Sequence, residues 1–137
     1  MKTAFIAYRH TGEDPAVLEP MLTGVRQSLA AMGIEAYCTF FVEEELQNKS
    51  MNARQIMEHA FETIESRDLL FVVQAGNLKS EGMLMEVGRF FGRKPIIVAT
   101  NQSEGTYLPS MADYTYSWQT PEELIAGVRP AVERLSK

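Results

Sequence analysis

Two short apolar runs constrain this chain most: Leu69-Leu70-Phe71-Val72-Val73, opened by Asp68, and Pro95-Ile96-Ile97-Val98-Ala99. Neither alternates with polar residues, which is the pattern of strands covered on both faces, as in parallel sheets. The segment between them holds a glycine-containing loop and enough residues for a helix of about three turns. Asp68 to Thr100 therefore reads as a β-loop-α-β unit. The loop after its first strand then lies at the carboxyl edge of the sheet, where open α/β folds bind ligands. Glu86 falls near the start of the helix that follows, among Met83, Leu84, Met85 and Val87. Carboxylates are seldom placed in apolar surroundings without a partner or a task.

The flanking segments repeat the alternation. Thr3 to Tyr8 is a first strand, followed by the polar loop Arg9-His10-Thr11-Gly12-Glu13-Asp14 and a helix from Pro15 to about Met32, with Val17, Met21, Val25, Leu29 and Met32 as its apolar stripe and Gly33 as its stop. Ile34 to Phe41 is a second strand, and Val42 to Ser50 an acidic connection. Met51 to Ser66 is a helix with Ile56, Ala60 and Ile64 on one face and Met57 and Phe61 beside it. After the central unit come the loop Asn101 to Ala112, a last strand Asp113 to Trp118, and a final helix capped by Thr120 and opened by Pro121. Five strands and four helices with right-handed crossovers predict one domain over residues 1–137. Its expected fold is an α/β, flavodoxin-like (Rossmann-like) three-layer sandwich with a five-stranded parallel sheet in the order 2-1-3-4-5.

Composition excludes several functions. The net charge of -5 and the lack of a basic run argue against sequence-independent nucleic-acid binding. A single cysteine, Cys38, leaves no internal disulfide and no multi-cysteine zinc site. No run approaches membrane-spanning length and no signal-peptide pattern opens the chain, so a cytoplasmic location is expected. The letters also disfavour three common occupants of this fold. Val73-Gln74 ends the third strand where a receiver domain needs an acid, and neither G-x-G-x-x-G nor G-x-x-x-x-G-K-[ST] occurs.

One set of motifs resembles a known family. Asp68-Leu69-Leu70-Phe71-Val72-Val73, Ser80-Glu81-Gly82-Met83, Met85-Glu86-Val87-Gly88 and Gly92-Arg93-Lys94-Pro95-Ile96-Ile97 look like the nucleoside 2-deoxyribosyltransferase superfamily, which includes nucleotide N-glycoside hydrolases. The letters agree over about Glu62 to Ile97, the layout over the whole chain. The resemblance implies that Glu86 is a nucleophile toward the anomeric carbon of a nucleoside or nucleotide, with no metal or organic cofactor. It also implies a homodimer or larger assembly in which Ser110, in the loop Gly105 to Asp113, reaches a neighbour's site. Tyr107, Leu108, Pro109 and Met111 would make that loop an exposed contact. The chain departs from the family at two positions. Ala60 stands where the family carries an aspartate in the preceding helix, and Phe5 where it carries a tyrosine in the first strand.

The chemistry of the carboxylate stands apart from the family. Cleaving an N-glycosidic bond builds cationic character on the sugar, which a carboxylate stabilises and can trap as a glycosyl ester. A helix N-terminus would favour its ionised form. The bland alternative is a structural Glu86 paired with Arg89 or Arg93. Tyr8, Arg9 and His10 should border the same sheet edge, with Arg9 suited to a phosphate and His10 to a phosphate or a leaving base. His59 could deliver the proton that the absent aspartate would have handled. Ser80, Glu81 and Gly82 could offer amides and a hydroxyl to a phosphate at the helix start. Two functions follow: an N-glycosidase or pentosyltransferase, or a non-catalytic nucleotide sensor or interaction module on the same fold.

Overall fold

The computed structural model describes residues 1–9, 13–42, 50–76, 80–101 and 107–136. The elements are β1 (Thr3–Tyr8), α1 (Pro15–Ala31), β2 (Glu35–Tyr37), a 3-10 turn at Thr39–Phe41, α2 (Ala53–Glu65), β3 (Leu69–Gln74), α3 (Glu81–Phe90), β4 (Ile96–Thr100), a second 3-10 turn at Leu108–Met111, β5 (Tyr114–Ser117), α4 (Pro121–Ala126) and α5 (Val128–Leu135). The sheet is parallel with order β2-β1-β3-β4-β5, as the apolar runs predict. Every residue of β3 and β4 is buried, because helices cover both faces of these inner strands.

Period-2 alternation splits the core in two. Ala4, Ile6, Tyr8, Leu69, Phe71 and Val73 pack with α1, α4 and α5, whereas Phe5, Ala7, Leu70 and Val72 pack with α2, α3 and Leu108 of the second 3-10 turn. Glu86 belongs to the second layer, so this face positions the candidate site. At the amino edge Asp68 ties the start of β1 to that of β3: its carboxylate accepts hydrogen bonds from the N–H groups of Lys2 at 2.9 Å and Thr3 at 3.1 Å. Among the described residues no helix is long and apolar enough to cross a membrane.

Several boundaries differ from the sequence reading for identifiable reasons. The second strand is only Glu35–Tyr37, pairs with β1 alone, and gives way to the 3-10 turn before reaching Phe41. The buried stripe of α1 is Leu18, Met21, Leu22, Val25 and Leu29, which leaves Val17 exposed; Ile56 is likewise exposed on α2. The final helix is two helices meeting at Gly127. A Cβ there would lie 2.3 Å from the Tyr116 ring, and Tyr116 Oη donates to Leu124 O at 2.6 Å, so the strand's tyrosine wedges against the break.

Candidate functional site

The α2–α3 groove holds two glutamates in contrasting settings. Gly82, Glu86, Arg89 and Arg93 recur at helical spacing along one side of α3 and its C-terminal turn, and the two arginines point that side toward α2. Arg89 Nη2 lies 2.7 Å and Arg93 Nη2 3.1 Å from the carboxylate of Glu65, and Arg89 also stacks over Phe61 at 5.6 Å. Both cations are thereby taken by Glu65, so neither is the partner of Glu86. Glu86 is partly buried, and no hydrogen bond or ion pair joins it to another described residue.

Burial alone pushes the Glu86 carboxyl up to about 8. This overturns the expectation of a group kept ionised at neutral pH by its helix. Glu86 is the sixth residue of α3, in the second turn, and the dipole's influence fades within the first. Its charge, when present, reaches Cys38 just past β2. Burial raises that thiol to about 12, opposed by a hydrogen bond from the Phe40 backbone, and the Glu86 carboxylate adds to the rise. The ends of β1 and β2 and the second turn of α3 thus share one region at the carboxyl edge.

The two departures from the family motif fall in the apolar layer beneath this region. Phe5 is 1% and Ala60 3% exposed, both in the cluster that contains Val87 and Met83. At these two positions the layer holds a phenyl ring and a methyl group.

The other residues singled out from sequence disperse. His59 Nε2 is hydrogen-bonded to Tyr37 Oη at 2.7 Å, so the histidine lies over β2 at the outer flank of α2. Tyr8 belongs to the α1 layer, edge-on to Phe40 at 6.0 Å, and borders the same sheet edge as Glu86 from the opposite face. Arg9 follows β1 and pairs through Nη1 with Glu13 Oε1 at 2.7 Å. Ser80 caps α3, its Oγ accepting from Met83 N–H at 3.3 Å, while Glu81 is an exposed first-turn acid. Gly82 has open space where a Cβ would project, which leaves room for a ligand to approach the backbone. Ser110 Oγ donates to Tyr107 O at 2.6 Å inside its own 3-10 turn. The loop expected to be a wholly exposed contact is split: Tyr107 is 83% exposed, but Leu108 is buried in its own domain's core and Met111 packs beside it. His10 and Gly105 lie outside the described residues.

Sequence reasoning missed Tyr37 and Glu13. Tyr37 could have been reached by counting alternation along the second strand, which puts it on the α2 face. Glu13 stands four residues after Arg9, but across a loop that spacing carries no rule.

A cleft of about 450 Å³ opens at the other end of the groove, lined by Phe91, Arg93, Lys94, Met111 and Asp113. Its cations are occupied: Lys94 Nζ donates to Ile64, Glu65 and Arg67 carbonyls, and Arg93 is bound to Glu65. It lies at the amino edge of the sheet, away from the edge where such folds bind ligands. Among the described residues no cluster of His, Cys, Asp and Glu could hold a metal ion.

No family model and no curated protein matches the chain. Solved structures do share its fold. The CMP N-glycosidase BcmB of Clostridium botulinum superposes with a TM-score of 0.69 at 16% identity, over 94% of this chain and 98% of that one. A conserved protein from Enterococcus faecalis V583 gives 0.60 at 14% identity, over 95% and 98%. The sugar isomerase domain of an RpiR transcription factor from Sphaerobacter thermophilus gives 0.61 at 14% identity, over 98% of this chain and 69% of that one.

Proposed function

We propose that this chain cleaves the N-glycosidic bond of a nucleoside or nucleotide, with Glu86 as the nucleophilic carboxylate. The observation that carries the reading is a partly buried carboxyl without a hydrogen-bonding partner among the described residues, beside an open glycine at the ligand-binding edge. A group in that state gains most when positive charge develops next to it. Ionised Glu86 attacks the anomeric carbon as the bond to the base breaks; the bonding pair leaves with the base, which takes up a proton. Water then hydrolyses the glycosyl ester, returning the carboxyl and releasing the sugar; a second base in place of water would make the reaction a transfer. The fold shared with a CMP N-glycosidase supports this reading. Screening nucleosides and 5'-monophosphates for base release, with Glu86→Gln as control, tests it. Turnover by Glu86→Gln equal to wild type would remove Glu86 from the chemistry.

We propose His59, hydrogen-bonded to Tyr37 at 2.7 Å, as the source of the proton for the departing base. A pH profile unchanged by His59→Ala between about 5 and 8 would move that role elsewhere. The working form is proposed to be a homodimer or larger homo-oligomer. Leu84, Met85 and Phe91 leave an apolar outer face on and just after α3, and Tyr107 projects nearby in sequence to the Ser110 turn. Light scattering at micromolar concentration, and recovery of activity on mixing Glu86→Gln with Ser110→Trp chains, test the two halves of this claim.

A second reading has its own observation. Phe5 and Ala60 remove both polar partners that the resemblance expects, and a site so stripped suits a nucleotide-binding module without catalysis. Tight binding with no base release from any nucleotide would favour it.

A further inference from the structure

Arg9 is unusual for a cation at the mouth of a ligand edge: its side chain is only 14% exposed and its charge is already matched by Glu13, itself 26% exposed, at 2.7 Å. Carrying the alternation of β1 forward one residue puts Arg9 on the face of Phe5 and Ala7, the layer of Glu86. Glu13 directly precedes Asp14, the N-cap of α1, whose carboxylate accepts from Ala16 N–H at 2.9 Å. The Glu13 carboxylate therefore occupies a guanidinium fork just before the chain enters α1. Such a place suits any oxyanion, and a phosphate carries more charge and more acceptor oxygens than a carboxylate.

The geometry points to Glu13 as the resident stand-in for a ligand phosphate: a nucleoside 5'-monophosphate exchanges its phosphate for the Glu13 carboxylate on Arg9. The phosphate is the group named because the proposed substrate is a nucleotide; the exchange itself rests on the ion pair. Because the guanidinium is paired with Glu13, the phosphate must displace an acid tethered four residues away, which sets a threshold against weak anions and lowers the apparent affinity by the fraction of time the pair is closed. An uncharged nucleoside has nothing to exchange and is indifferent to the pair. Glu13 is thus a specificity-determining residue that holds Arg9 in place before the ligand arrives.

Titration calorimetry with CMP, cytidine and inorganic phosphate tests this in the Glu86→Gln background, where no turnover interferes. Glu13→Gln should tighten CMP and phosphate by about tenfold and leave cytidine unchanged. Arg9→Gln should bring CMP down to the level of cytidine. Unaltered or weaker CMP binding in Glu13→Gln, equal tightening of cytidine, or no CMP or phosphate binding by any variant would overturn the exchange. If Glu13→Gln does not fold, the Arg9 side-chain N–H resonances of the unsubstituted protein decide, since they must shift on adding phosphate; static resonances overturn it. The outcomes separate from those of the proposed function. The predicted affinity pattern without base release removes the glycosidase and keeps the exchange, whereas base release with a flat pattern does the reverse.

Discussion

Glu65 and Glu86 line the same groove between α2 and α3, yet the protein treats them in opposite ways. At the amino end Glu65 accepts from Arg93, whose hydrogen bond is the main cause of a carboxyl held below the ordinary range, and from Arg89. Toward the carboxyl end Glu86 has no hydrogen bond or ion pair to another described residue, and burial raises its carboxyl to about 8. One end is a wet, fully paired clasp; the other is a partly buried carboxyl with no such partner among the described residues. The difference teaches that a groove can be closed where it bears load and left electrostatically incomplete where a ligand would complete it.

The largest effect expected from breaking this contrast is on activity. Replacing Glu86 by Gln keeps the shape and removes the charge that offsets a developing sugar cation, so base release should fall by about a thousandfold or more. In the unsubstituted protein kcat/KM should climb as pH rises through about 8, because the attacking form is the ionised one. A flat profile from pH 6 to 9 would mean that the carboxyl does not act as its setting implies.

Stability gives the next largest signal, with a definite sign. The folded-state value for Glu86 is raised from 4.5 to about 8, so the native protein binds more protons than the unfolded chain between them. Its contribution is fully present below 4.5, declines across that window and is gone above about 8, a loss of at most roughly 5 kcal/mol. Denaturant midpoints at pH 5 and pH 9 should therefore diverge for the unsubstituted protein and much less for Glu86→Gln. Equal divergence would locate the titration in another group.

How much of this was legible beforehand depended on the range of each interaction. Leu69 to Val73 and Ile96 to Ala99 announced inner parallel strands because burial on both faces leaves its mark residue by residue. With these runs came the sheet order and the edge on which Glu86 would lie. The protonation state of Glu86 was not legible, since it depends on burial by the assembled fold and on a helix start one turn too distant. The face of Tyr8 was legible in principle: Ala4, Ile6 and Tyr8 share one parity, and counting it would have set Tyr8 apart from Glu86. His59 gave no sign of Tyr37, because that bond joins α2 to a strand 22 residues earlier and needs the crossover to exist first.

At the amino end the cation that matters most is Lys94. Its Nζ donates to the carbonyls of Ile64 at 3.3 Å, Glu65 at 2.8 Å and Arg67 at 2.6 Å, closing the C-terminus of α2. Lys94→Met should keep the stem against Phe90 and lose the caps, costing about 1–2 kcal/mol in denaturation without changing the pH at which activity rises. A shift in that pH would show that the two ends of the groove are electrostatically linked.

Glu65→Gln should have the smallest effect and sharpens the contrast furthest. The ion pairs are well formed, but Glu65 is 39%, Arg89 48% and Arg93 52% exposed, so water and salt already screen them. The amide oxygen can still accept one of the arginine hydrogen bonds, and Arg89 keeps its place over Phe61. At physiological salt and neutral pH the midpoint should barely move, and raising the salt should erase what difference there is. The direction of the shift also fixes where it can be seen. Because the folded-state value is lowered from 4.5, the stabilisation by Glu65 is present above 4.5 and lost as pH falls through the native value, so the variant and the unsubstituted protein should converge in acid. The destabilising cost of the buried Glu86 charge is likewise absent in acid but grows toward pH 8, where the contribution of Glu65 is constant. Melting curves of both single variants and the double variant across pH 3 to 9 would resolve the two, and additivity at every pH is expected for groups that share a groove but no partner. Failure of additivity above pH 6 would mean that the arginines of the clasp turn toward Glu86 once Glu65 is gone, and the dry end of the groove would then owe its state to the wet one.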